Sequence, residues 1–117
     1  MLFICYKKCT SCKGIEKLLV EKGISFEKRD IKDENPTAAE LKKWHEKSGE
    51  ALKKFFNTSG MIYREMHLKD KLGEMTEDEQ YELLATDGML VKRPILLTDD
   101  EEVYVGPMVK KYIEAHE

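Results

Sequence analysis

At 117 residues the chain has the size of one domain and can bury a single core without metals or extra cross-links. Hydrophobic residues make up 41% and charged residues 37%, which describes a globular, water-soluble chain and excludes a disordered tail. Basic residues number 20 against 23 acidic, for a formal charge of −3, so direct nucleic-acid binding through a basic face is not expected.

The opening run Met1 to Tyr6 is apolar but far too short to cross a bilayer, and no membrane partner is expected. Lys7 and Lys8 follow that run instead of preceding it, the reverse of a signal peptide. Three cysteines are an odd number and make no secreted disulfide framework. These features together predict a cytoplasmic, reducing location.

Leu2 to Tyr6 reads as a strand covered on both faces. Thr10 or Ser11 opens a helix carrying Ile15, Leu18 and Leu19, and Gly23 stops it. Ile24 to Ile31 is a second strand, so the front of the chain is a βαβ unit with parallel strands. After the turn Asn35-Pro36-Thr37 comes a helix with Leu41 and Trp44 inward, ended by Ser48-Gly49. Leu52, Phe55 and Phe56 form an apolar patch before the turn Asn57 to Gly60. Met61, Met66, Met75 and Met89 are expected to fill core. Thr76 and Glu79 form a capping box for a helix with Tyr81, Leu84 and Ala85 inward, closed at Gly88. Pro94 starts a third strand, Asp99 to Glu102 turn the chain, and Val103 to Val105 return antiparallel. Pro107 opens a last helix with Val109, Tyr112 and Ile113 inward. The expected architecture is α/β, with a mixed four-stranded sheet in the order βαβ, helical insert, ββα. It is read as a single domain over 1–117, with the insert at about 33–91.

Cys9-Thr10-Ser11-Cys12 sits where the first strand gives way to a helix. A helix start presents unpaired amides and partial positive charge, which favour thiolate over thiol. Lys7, Lys8 and Lys13 would act in the same direction if their ammonium groups lie close. Cys12, one turn on, can attack a mixed disulfide formed at Cys9, so Cys9 is the nucleophile and Cys12 the resolving cysteine. Two other readings compete. A zinc half-site would need two more ligands from His45, His67, His116 and Cys5, none closely spaced, and no metal is expected. Two structural thiols are the second competitor. A Cys-x-x-Cys beside a βαβ unit favours the redox reading. Cys5, inside the first strand, is expected to be an inert core thiol.

Three stretches carry a resemblance: Cys9 to Cys12, Phe55 to Gly60, and Leu84 to Ile95 with Lys92-Arg93-Pro94 within it. On these the chain resembles the arsenate reductase family in its ArsC and Spx branches, a thioredoxin-fold group with a helical insertion. The likeness runs along nearly the whole chain and is closest to the bacterial arsenate reductase-related proteins. It implies that Cys9 is the catalytic thiol, that Arg93 binds an oxyanion across the site, and that Pro94 is cis. Thr10, Ser11 and Asn57 are the further substrate-side positions it points to.

Glutaredoxin-linked arsenate reductases of this family use three arginines. Here two of those positions fall at Asn57 and Gly106. One fixed arginine neutralises a trivalent oxyanion poorly, which argues against arsenate as the main substrate. The resemblance therefore implies a thiol–disulfide oxidoreductase with no bound cofactor, reduced by glutathione, glutaredoxin or thioredoxin. The Spx branch implies an alternative, a redox-sensing regulator that binds RNA polymerase. True arsenate reduction is the third.

Overall fold

In a computed structural model, which describes residues 1–116, the apolar opening run forms strand β1 (Leu2–Cys5). Helix α1 (Thr10–Glu21) follows and leads into β2 (Glu27–Asp30). Strands β3 (Ile95–Leu97) and β4 (Val103–Val105) come late in the chain. The sheet order is β2-β1-β3-β4, parallel between β1 and β2 and antiparallel elsewhere. This is the mixed four-stranded sheet expected from the sequence.

Strand alternation sorts the core into two layers. Ile4 and Ile95 face one side, where they meet Leu41, Trp44, Phe55, Tyr81 and Leu84. Phe3, Cys5 and Leu96 face the other, against Cys12 and Leu19 of α1 and Val109 and Ile113 of the last helix. That helix, α6 (Pro107–Ala115), begins with its proline as expected.

Between β2 and β3 the chain is helical. Helix α2 (Ala38–Ser48) opens with a capping box of Thr37 and Glu40 and ends at Gly49 in the left-handed region. Short helices α3 (Met61–Glu65) and α4 (Leu68–Lys71) follow, then α5 (Glu77–Leu84), opened by the expected box of Thr76 and Glu79. Each box satisfies two backbone amides that the first turn leaves free, a contribution of about 1 kcal/mol. Single 3-10 turns lie at Leu52–Phe55, Leu72–Glu74 and Gly88–Leu90.

Three expectations need correction. The second strand is shorter than Ile24 to Ile31, because β1 supplies only four partners. Ile24 instead closes α1: its amide reaches Leu19 O and that of Gly23 reaches Val20 O, a Schellman motif. Met61 and Met66 are exposed, at 74% and 37%, since Tyr63 and Leu68 provide the buried contacts of α3 and α4. Helix α5 ends at Leu84, before Gly88, because Asp87 caps a new 3-10 turn by accepting from the Met89 amide. The two short helices α3 and α4 carry too little apolar periodicity to be read from sequence. Among the described residues, no helix is long and apolar enough to cross a membrane.

Gly88 ties the helical layer to the end of β2. A Cβ at this position would collide with the Ile31 carbonyl oxygen and crowd Asn35 Oδ1 at 2.8 Å. Gly88→Ala is therefore expected to destabilise the fold by about 1–3 kcal/mol through overpacking. A urea melt with an unchanged midpoint would contradict this close backbone approach.

Candidate functional site

The turn after β1 is held by Asp30 at the end of β2. Its carboxylate accepts from the amides of Lys7, Lys32 and Asp33 at 2.9–3.0 Å. Burial works to raise this carboxyl, but the three amides together hold it below the usual carboxylate range. The Cys9 amide then donates to Tyr6 O at 2.9 Å, closing a turn that delivers Cys9 to the N-cap of α1 with extended backbone angles.

At that position a serine would cap the helix with its hydroxyl. The neutral Cys9 thiol makes no capping hydrogen bond, but the amides of Cys12 and Ser11 lie where they can donate to a thiolate. The first turn of α1 contains no acidic residue, so nothing offsets the positive end of its dipole. Partial burial pushes the Cys9 thiol up. The Cys12 amide, the Arg93 guanidinium and the Ser11 amide push it down, and the net effect is a lowered pKa.

Arg93 precedes a cis peptide bond to Pro94, as the resemblance implied. Its guanidinium carbon stands 5.3 Å from the centre of the Tyr6 ring, a cation–π contact that sequence reading missed. Guanidinium nitrogens Nε and Nη1 are buried and have no hydrogen-bond partner. Buried donor groups left unused are costly unless an acceptor completes them. A thiolate or an anionic ligand beside Cys9 would do so.

A cleft of about 610 Å³ opens at Arg93, lined also by Ser11, Pro94, Pro107, Lys17, Lys92 and Lys110, with Cys9 outside the lining. Thr10 is exposed and is not part of that lining. Asn57 is tied elsewhere: its amide donates to Leu90 O at 2.7 Å and its Nδ2 to Met89 O at 3.3 Å. Its hydrogen bonds thus fix the Phe56–Val91 bridge region and do not reach Cys9. Gly106 donates to Pro94 O at 2.8 Å and adopts φ +60°, so it shapes the cleft wall with no side chain.

The lysines do not act on Cys9 as anticipated. Lys7 is held by Asp33 at 3.3 Å, which raises its pKa through that hydrogen bond and the carboxylate charge. Lys8 and Lys13 are exposed. No group of three or more metal-ligating side chains gathers among the described residues.

Cys5 is not an inert core thiol. It is bonded to Cys12, with Cα atoms 5.9 Å apart, which leaves Cys9 as the free cysteine in place of the expected Cys9–Cys12 partnership. Strand alternation turns Cys5 toward α1, and Cys12 faces the sheet from the third helical position. Cys9, at the cap, stays partly open to solvent. The signal was available in the alternation of Phe3, Ile4 and Cys5, which puts Cys5 on the face that α1 must cover.

Comparison with known proteins agrees with this architecture. The family model described as "ArsC family" matches residues 5–114. YusI of Bacillus subtilis is 55% identical over 106 residues, covering 91% of this chain and 89% of that protein. The regulatory protein MgsR of the same organism is 31% identical over 106 residues, covering 91% and 82%. The crystal structure of an ArsC family related protein from Bacteroides fragilis superposes with a TM-score of 0.88 at 47% identity, covering 96% of this chain and 95% of that one. With the thioredoxin-like sheet, the helical insert and the cysteine and arginine–proline elements all present in one chain, this protein belongs to the ArsC family.

Proposed function

We propose that the protein is a thiol–disulfide oxidoreductase in which Cys9 is the nucleophile. One observation carries the reading: Cys9, the free cysteine among the described residues, caps an unneutralised helix start beside an arginine with two buried, unpartnered nitrogens. The Cys9 thiolate attacks a substrate disulfide, forming a mixed disulfide and expelling one substrate thiolate. Cys12 then attacks Cys9 Sγ, releases the second substrate thiolate and leaves a Cys9–Cys12 disulfide. An external thiol donor such as glutathione, glutaredoxin or thioredoxin returns the electrons. Arg93 receives an anionic group of the substrate, and the cleft along Pro94 and Pro107 receives its backbone or carbon skeleton. Because Cys12 is engaged with Cys5 in the structure, its resolving step belongs to the form in which that pair is reduced.

A second reading, a redox-sensing regulator that binds a protein such as RNA polymerase, draws support from the 31% identity with MgsR, named a regulatory protein. Stable capture of polymerase with negligible reductase turnover favours it. Arsenate reduction is disfavoured by Asn57 and Gly106 at the expected arginine positions. Arsenate-dependent NADPH oxidation at the rate of a dedicated reductase would reverse that judgement.

Two outcomes follow from the main reading. Cys12→Ser should accumulate mixed disulfides at Cys9 that dithiothreitol releases; a variant that captures nothing while wild type turns substrate over would contradict the assigned roles. The lowered pKa means thiolate persists at a pH where an ordinary thiol is protonated. Removing the guanidinium should therefore slow iodoacetamide labelling of Cys9 at pH 7 several-fold in Arg93→Ala, with the two rates converging at high pH, where both sulfurs are ionised. Equal rates at pH 7 would remove Arg93 from the account.

A further inference from the structure

We propose that Cys5 is the third member of a thiol relay, so that oxidation received at Cys9 passes through Cys12 and comes to rest as a buried Cys5–Cys12 disulfide. This deepens the oxidoreductase reading and rests on it. The observation behind it is the arrangement of three sulfurs at one junction of strand and helix. Cys5 is 8% exposed and Cys12 3%, both within the cluster of Phe3, Leu19, Leu96, Val109 and Ile113. Cys9 packs against the edge of the same cluster and is partly open to solvent. The Cα separation of 5.9 Å between Cys5 and Cys12 is ordinary for a disulfide. Cys5 and Cys12 border a second cleft of about 270 Å³, with Tyr6, Glu16 and Lys28, but they expose far less of themselves than Cys9, which is the favoured point of exchange with an outside thiol.

The chemistry balances as three exchanges. Cys9 thiolate attacks a substrate disulfide, and one substrate thiolate leaves. Cys12 attacks Cys9 Sγ, losing its proton, and the second substrate thiolate leaves. Cys5 then attacks Cys12 Sγ, losing its proton to solvent, and Cys9 leaves as thiolate. In sum, two cysteine thiols and one substrate disulfide become the Cys5–Cys12 disulfide, two substrate thiolates and two protons. An external dithiol runs all three exchanges in reverse through Cys9: Cys9 frees Cys5, one donor thiol frees Cys12, and the second donor thiol frees Cys9 as the donor becomes a disulfide.

The direction follows from leaving-group stability. The better-stabilised sulfur anion is the better leaving group, and the Cys9 anion is the one held by the Cys12 and Ser11 amides and Arg93. A Cys5 anion would sit in apolar surroundings, which disfavour a thiolate. The third exchange therefore runs toward Cys5–Cys12, and it returns Cys9 to its reactive form after each oxidation.

Tryptic mapping tests this on the wild-type protein. Cleavage after Lys7 and Lys8 separates the peptide Met1–Lys7, which holds Cys5, from Cys9–Lys13, which holds Cys9 and Cys12. After oxidation with glutathione disulfide and alkylation, the expected product is a cross-link between these two peptides, with the alkyl group on Cys9. A second measurement uses Cys5→Ser. Oxidised wild type should keep Cys9 open to alkylation, whereas in the variant Cys9 is held by Cys12 and its labelling falls by about tenfold or more. A loop within Cys9–Lys13, with Cys5 alkylated, would overturn the relay while leaving the oxidoreductase reading intact. So would a Cys5–Cys9 cross-link. A Cys9 that neither alkylates at neutral pH nor forms any disulfide would overturn both.

Discussion

The whole site depends on one electrostatic balance: a sulfur at the N-cap of α1 must prefer to be an anion although it is partly buried. Desolvation opposes this, and three donors overcome it, namely the amides of Cys12 and Ser11 and the guanidinium of Arg93. The amides are fixed by the helix itself, since the first turn leaves its N–H groups unpaired. The guanidinium is fixed by the turn into β3 and by the face of Tyr6. Each element of the fold near the site serves to bring these donors to one atom. The Asp30 carboxylate, which gathers three amides around the turn after β1, is the part of that support most remote from the chemistry.

Much of this was legible in the sequence. The apolar run before Lys7, the Cys-x-x-Cys at a helix start and the capping residues Thr76 and Glu79 each state their local structure through a physical rule. So does Pro107 at the start of α6. The family resemblance supplied the cis bond before Pro94 and the position of Arg93, which composition and spacing alone do not give. The pairing of Cys5 with Cys12 was missed because a cysteine within an apolar strand packs like any small hydrophobe. Only the strand's alternation, set against a helix not yet placed, distinguishes a buried thiol from a bonded one. The short helices between Met61 and Lys71 escaped for another reason: nine or so polar and apolar residues in no clear period leave tertiary contacts to decide.

The cleft carries one arginine and several lysines, but residues 57 and 106 bring no charge to it. Asn57 spends its donors on the backbone at Met89, and Gly106 contributes only its amide and a bare cleft wall. Arg93, partly buried with two unpartnered nitrogens, is left as the arginine of the site, and Lys17, Lys92 and Lys110 line the same cleft. Together these cations draw an anionic group toward the cleft.

Ionisation of Cys9 in the reduced protein is the most direct measure of the account. Labelling cysteine at Cβ with carbon-13 gives one resonance for each of the three sulfur residues, and a titration follows each as it loses its proton. The account predicts that the Cys9 resonance moves with a midpoint clearly below the ordinary thiol value of about 8.5. A Cys9 midpoint at or above that of a free thiol would contradict the claim that helix and guanidinium together hold a sulfur anion.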